Sequence, residues 1–456
     1  AQNPEPVAPF IDVFVTGDGE PSLPLVCDRW LAVRREVLQG ASPALGEAGR
    51  KQRADALARL AATLPFAYVP SLYEPEYDDG RFRGLRALRA EGASTIEPSV
   101  IGDLESAVLP LAPILPAAEC VHDRIAVEIM RGCPWQCRFC QSTVIKRPLR
   151  IRSVDKIVES AWEMYRNTGL DEVSLLSLSS SDYPYFEELV NRMHATFSPH
   201  NVRLALPSLR VNEQLKALTA LIEGDNRGLT LAPEVARDDM REQIRKKIKN
   251  SDLYDGVRVA LANGYTHVKL YFLIGLPGER KVDLDGIVDM AETISRIGKE
   301  VKGRNIPVTA SVSNFVPKAH TPYQWNGMQT REYFAWAHRY MRHRCAVKAV
   351  KIKCHDIETS MLEGLLSRGD RRTADVIELA WRRGSRLNSW FEYFDAKIWW
   401  EAMRDLNLPA DDFIHRPYEL MDRLPWDHIN VKKGRTFLEK EQQRAVVQLE
   451  EMAAAV

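Results

Sequence analysis

Short apolar runs alternate with amphipathic helical stretches through the middle of the chain, the rhythm of a parallel sheet built from βα units. Predicted strands occupy residues 125–130, 172–178, 202–206, 228–231, 266–274 and 307–315. Between the first two, Ser153 is a candidate N-cap for a helix whose Ile157, Val158, Ala161, Trp162 and Tyr165 share one face, ending near Gly169. Six such units predict an α/β fold, a partial (β/α)6 TIM-like barrel with its working end at the strand C-termini.

The flanks are patterned differently. Residues 10–20 read as a short buried strand running into a Gly-Asp-Gly turn, and 29–62 as an amphipathic helical stretch, which together predict an N-terminal α/β remnant. Residues 64–118, rich in Pro, Gly, Tyr and acidic side chains, read as an extended connector. Past residue 345 there is one more strand-like stretch, 346–353, then mainly helical sequence with many tryptophans and arginines. The last stretch, 434–456, is a charged helix with Phe437, Leu438, Ala445 and Val446 as its expected apolar side. The expected divisions are 1–120, 121–345 and 346–456.

A chain of 456 residues can form two or three units with substantial cores, so a large enclosed site is expected. Lys+Arg and Asp+Glu both number 62, and this balance removes any whole-molecule field that would mark a nucleic-acid or acidic-membrane binder. No run of eighteen or more apolar residues occurs, and the first residues lack the basic and apolar regions of a signal peptide. A cytoplasmic location with no membrane partner is therefore expected. The chain starts without Met and enters a strand-like stretch at residues 11–16, so further sequence upstream is expected.

Seven cysteines, three of them within eight residues, are not a disulfide framework. Cys133, Cys137 and Cys140 follow the first predicted barrel strand, on a loop short enough to turn all three thiols inward. A closed structural zinc site needs a fourth ligand, and no other Cys or His lies in this loop. Three thiolates instead leave one metal of an iron-sulfur cluster open to a small molecule. A zinc site completed by His122 or His355 is the alternative.

This Cys-x3-Cys-x2-Cys spacing, with Phe139 directly before the last Cys, resembles the signature of the radical S-adenosylmethionine superfamily. The resemblance implies a 4Fe-4S cluster on the three cysteines, S-adenosylmethionine on the fourth iron, and its reductive cleavage to a 5′-deoxyadenosyl radical. It places Phe139 beside the adenine and implies a reductant protein such as a flavodoxin or ferredoxin. Ser179 and Ser180, after the second strand, stand where relatives contact the methionine amino group, although an ordinary helix N-cap turn explains them equally. Glu234, in Ala-Pro-Glu after the fourth strand, could accept from a ribose diol or an ammonium group, or pair structurally with an arginine. Gly275 and Pro277 belong to a Gly-x-Pro-Gly-Glu turn resembling the adenine-supporting turn of the superfamily.

The segment from Asn314 to Trp325 resembles an element of an uncharacterised branch related to cobalamin-binding members, and there Lys318 and His320 are expected at the barrel mouth. The Val15 to Glu20 segment resembles the closing strand of their cobalamin-binding domain. No Asp-x-His-x-x-Gly stretch supplies a cobalt ligand, so cobalamin rests on kinship alone. Cys354 and His355 are further candidates, weighed against ordinary packing, while Trp381, Trp390, Trp399 and Trp400 are expected in the core. Basic clusters at 138–152 and 241–249 could hold RNA phosphates. The substrate is left open between RNA, peptide and small metabolite, with methylation or sulfur insertion implied by kinship. A non-catalytic iron-sulfur or zinc protein and an RNA-binding module with a vestigial cluster are the rival functions.

Overall fold

The computed structural model describes residues 2–37, 46–118, 123–205 and 228–454. Seven parallel strands among them carry the architecture: β1 (Ile125–Glu128), β2 (Glu172–Leu176), β3 (Arg203–Ala205), β4 (Gly228–Glu234), β5 (His267–Ile274), β6 (Val308–Asn314) and β7 (Val350–Cys354). They form two parallel sheets in chain order, β1-β2-β3 and β4-β5-β6-β7. Part of the predicted third strand, residue 206, lies outside the described residues.

Each strand alternates, and one set of side chains enters an apolar layer under the helices. Val127, Val173 and Leu175 meet Ile157, Ala161, Leu189 and Met193 from helices Val154–Thr168 and Phe186–Phe197. Val268, Leu270, Phe272 and Ile274 of β5 meet Leu253, Val257, Ile287 and Ile294 from helices Asn250–Ala262 and Lys281–Lys302. The Ser153 hydroxyl caps its helix by accepting from Lys156 N at 3.1 Å, and Gly169 ends it with φ 71°.

The strand expected to stand apart after residue 345 begins later, at Val350, and pairs with β6 from Val308↔Val350 to Val312↔Cys354. The parallel layer therefore runs past residue 345. The N-terminal strand also departs from expectation. Phe14–Val15 pairs antiparallel with Ala67–Tyr68, and the helix behind it starts at Gly19, so this is not the tail of a parallel layer. Within the expected connector, Tyr73–Asp78 and Arg81–Ala87 form a hairpin whose tip residues, Asp79 and Gly80, have φ 47° and 69°. A two-residue Asp-Gly loop with both φ positive matches strand twist, a signal that was present in the sequence.

A buried polar cluster ties the N-terminus to distant parts of the chain. The Glu5 carboxylate accepts from the Tyr68 hydroxyl and from Arg371 Nε at 2.9 Å, and Arg371 also donates to Tyr73 O at 2.7 Å. His320, expected at the barrel mouth, is instead buried here, its Nε2 donating to Gln2 O at 2.9 Å. The His428 ring lies 4.3 Å from the Tyr68 ring. Burial lowers His320 to about 4, and burial with the neighbouring His320 and Arg371 lowers His428 to about 3.

Both histidines are thus neutral when folded and titrate near pH 6.5 when unfolded. Unfolded chains bind more protons below that pH, so stability falls on acidification until the folded values are reached. Urea unfolding at pH 7 and 5.5 should show a loss of about 1 kcal/mol per histidine. His320→Gln should reduce that loss by roughly half.

Candidate functional site

The cysteine loop leaves β1 through a short antiparallel closure, Met130–Arg131 against Arg150–Ile151, which clamps both ends of the segment between them. Gly132 sits at φ +98°, and a Cβ there would lie 2.7 Å from Lys146 O, so only glycine fits before the first thiol. Cys133 and Cys137 are buried and Cys140 is half-buried. Cys140 N donates to Cys137 O at 3.1 Å, the Thr143 hydroxyl donates to Cys140 O at 2.8 Å, and burial pushes the Cys140 thiol up.

All three cysteines line one cavity of about 260 Å³, together with Phe139, Ser179 and Glu234. The remaining wall includes Trp135 of the cysteine loop and Ala232 and Pro233 of β4. The C-terminal ends of β2 and β4 and the loop after β1 thus converge on one space. Asp182 joins two of its walls, accepting from Trp135 Nε1 at 2.6 Å and from the Ser179 hydroxyl. Ser180 turns away, to the Ser177 hydroxyl at 3.0 Å.

Glu234 closes β4 at φ +66°, a backbone conformation that costs a non-glycine residue and persists only where the surroundings enforce it. Its carboxylate pairs with Lys246 Nζ at 3.2 Å. Gly275 and Pro277 are not on the cavity wall. Gly275, at φ 81°, faces Phe334, and its N–H donates to Glu279 at 2.8 Å. Leu276 between them joins the apolar cluster that holds Phe139, so this turn backs the wall.

Sequence reasoning missed the residues behind the cysteine loop. Arg138 is fully buried between Cys137 and Phe139, and its Nη1 donates to Gln243 O and to Gln448 Oε1, both at 2.6 Å. Glu441 lies 3.7 Å from Arg138 Nε and 2.9 Å from Arg245 Nη1. Cys137 Sγ in turn lies 3.7 Å from Arg245 O. The helix supplying Glu441 and Gln448 is Gly434–Ala454, which buries Leu438, Glu441, Gln442 and Ala445 but leaves Val446 exposed, contrary to the expected apolar side. A carboxylate on a buried face breaks the apolar stripe, which is why periodicity misjudged it.

Other candidates fall elsewhere. Much of the two basic clusters is internal: Arg150 pairs with Asp18, Arg152 donates to Glu128 O and Ala107 O, Arg241 pairs with Asp238, and Lys246 with Glu234. Lys146, Lys247 and Lys249 of these clusters are exposed. Lys318 is paired with Glu363, and Cys354 packs against the apolar layer of the second sheet. His355 Nε2 lies 3.5 Å from the Ser313 hydroxyl, on the opposite face. Trp399 is buried as expected, but Trp381 and Trp390 are exposed. His122, the other alternative zinc ligand, lies outside the described residues.

Among the described residues no three of His, Cys, Asp and Glu converge closely enough to hold a single ion. Three thiols spread around a cavity of this size suit a polynuclear cluster, whose ligands stand apart on different metals. The donor set therefore fits an iron-sulfur cluster with a polar remainder for a bound cofactor.

The Radical SAM superfamily model matches residues 127–291. The uncharacterized protein MJ0966 of Methanocaldococcus jannaschii is 26% identical over 254 residues, 55% of this chain and 53% of that protein. Ribosomal protein uS12 methylthiotransferase RimO of Chlorobium phaeobacteroides is 24% identical over 180 residues, 37% of this chain and 40% of that protein. The chain thus spans about half the length, or less, of these curated relatives. Among solved structures, the radical S-adenosylmethionine methyltransferase TsrM from Kitasatospora setae, with tryptophan substrate and a SAM analog bound, aligns over 71% of this chain and 54% of its own. The TM-score is 0.41 and the identity 14%. No helix among the described residues is long and apolar enough to cross a membrane. The segment similar to the Radical SAM superfamily, residues 127–291, contains the cysteine loop, the β2 and β4 ends and the Gly275 turn.

Proposed function

We propose that the chain is a radical S-adenosylmethionine enzyme whose 4Fe-4S cluster is held by Cys133, Cys137 and Cys140. The observation that carries this reading is the shared cavity, where the three thiols meet Phe139, Ser179 and Glu234 at the ends of successive βα units. We read the two parallel sheets as arcs of one open barrel, which puts that cavity at its working end.

When bound, the cluster and S-adenosylmethionine supply one-electron cleavage of a sulfonium bond and an organic radical able to abstract hydrogen. The chain's own residues hold and orient. Glu234, steadied by Lys246, offers carboxylate oxygens to a ribose diol or an ammonium group. Ser179, tied to Asp182, offers a hydroxyl on the same wall, with Ser180 supporting the loop through Ser177. Phe139 offers an apolar face for a flat ring, and the Gly275 to Pro277 turn supports it through Leu276. Arg138 and Glu441 fix the loop from behind. Methylation or sulfur insertion is the reaction class proposed for the radical, in keeping with the methylthiotransferase among the relatives.

Anaerobic reconstitution with iron and sulfide, reduction by dithionite and addition of S-adenosylmethionine should yield 5′-deoxyadenosine. Cys137→Ala should abolish that product, and equal yields from the two proteins would sink the reading.

Glu441→Ala leaves the buried Arg138 charge without its carboxylate, a defect that costs about 3–5 kcal/mol where the charge cannot escape. Reconstituted Glu441→Ala should hold less iron per chain after desalting, with an unchanged far-ultraviolet spectrum. Glu441→Gln, which keeps the shape and some hydrogen bonding, should fall between it and the unmodified protein.

A further inference from the structure

The inner face of the second sheet is polar and cationic, and the cluster chemistry makes no use of it. Strand alternation sends Val268, Leu270, Phe272 and Ile274 of β5 outward under the helices and leaves Lys269 and Tyr271 facing inward. Pairing register then lines up whole rows on that face. Thr230, Lys269, Thr309 and Lys351 are lateral neighbours, and Tyr271, Ser311 and Lys353 form the next row. Adjacent members of a row stand about 5 Å apart. The inside of a βα barrel is ordinarily packed with branched aliphatic side chains, and here it is hydroxyls and lysines.

This face lines a cavity of about 490 Å³, whose wall includes Thr230, Lys269, Thr309, Ser311, Lys353 and Arg304. Among the described residues no carboxylate is on that wall, and Lys269 and Lys353 make no ion pair. The Lys269 ammonium lies over the Tyr271 ring, 4.7 Å from its centroid. The contrast is with Arg138, Arg150, Arg152 and Arg241 near the cysteine loop, which are held inside the protein. Three cations in a concave space with no carboxylate among the described residues of its wall raise the local concentration of anions and gain most from a ligand bearing two negative charges. The volume is that of a small-molecule site.

The two cavities share β4: Thr230 lines the one and Ala232 the other, two residues apart along the strand and so about 7 Å apart.

We propose that this inner face binds the phosphate group of a small phosphorylated substrate, with Lys269, Lys353 and Arg304 as cationic contacts and the Thr230, Thr309 and Ser311 hydroxyls as donors. Such a molecule, anchored there, extends along β4 into the cluster cavity. The assignment rests on the reading of that cavity as the radical source.

The test is calorimetric titration of the anaerobically reconstituted protein with inorganic pyrophosphate, in parallel with citrate and with an unstructured RNA oligonucleotide. Pyrophosphate should bind, with an affinity that falls as salt rises. Lys269→Met and Lys353→Met should each weaken it about tenfold or more, while Lys353→Arg and the distant Lys299→Met should retain it. No pyrophosphate binding, or binding indifferent to Lys269→Met and Lys353→Met in variants with unchanged far-ultraviolet spectra, would overturn the proposal. Tighter binding of citrate would overturn the phosphate class, and tighter binding of the RNA the small-molecule class. Assay of 5′-deoxyadenosine in the same preparation separates the two readings. Its formation without pyrophosphate binding removes the anion site alone, and pyrophosphate binding without its formation removes the radical reading alone.

Discussion

A guanidinium buried between two cysteines sets the terms for the rest of this site. Arg138 lies between Cys137 and Phe139, so any conformation that turns those thiols inward also buries the positive charge beside them. An isolated charge in such a place is too costly to survive, and the chain must deliver acceptors to it. It does so from two remote segments, with Gln243 after β4 and Gln448 of the last helix as acceptors and Glu441 as the nearby counter-charge. The loop, the β4 exit and the C-terminal helix are thereby fixed relative to one another. The same Glu441 holds Arg245, whose carbonyl lies beside Cys137.

This coupling explains how much of the site could be read from the residues in order. The strands were legible because period-2 alternation and flanking turns are local, and the helix Val154–Thr168 because both its Ser153 cap and its Gly169 stop are local. The cysteine loop was legible from spacing alone. The role of Glu441 was not, since a carboxylate on a charged helix is ordinarily solvated and only the tertiary contact with a residue some 300 positions earlier turns it inward. His320 misled for a similar reason. Its neighbours Pro317 and Pro322 marked a stiff loop, but only the return of the N-terminal segment, with Gln2 O as acceptor, decided that the ring points into the interior. The strand at Val350–Cys354 carried a clean alternation, and its partner was hidden because strand order is not encoded locally.

The inner and outer faces of β4 to β7 answer to different demands. Outward residues must satisfy the packing of the covering helices, and they are apolar but for Asn314 at the end of β6, which is hydrogen-bonded to Ser360 and His338. Inward residues such as Thr230, Lys269 and Lys353 line a cavity, and their hydroxyls and ammonium groups need water or a ligand to satisfy them. An aliphatic interior would have packed itself shut. A polar one stays open, at some loss of core stability, and that exchange is sensible only where the lumen has a use.

β4 is where these two demands meet. Its lower half contributes Thr230 to the lysine-lined cavity, and its upper half contributes Ala232, Pro233 and Glu234 to the cysteine cavity. Between Leu231 and Glu234 the pairing with β5 slips its register, and the strand ends with Glu234 in a positive-φ conformation. A regular strand would have kept Glu234 in step with its neighbour. The irregularity, stabilised by Lys246, instead sets that carboxylate beside the cysteines while the Thr230 row stays in register with Lys269 and Thr309. Strain held at one residue is thus what lets a single strand line the cysteine cavity at its end and the lysine-lined cavity along its length.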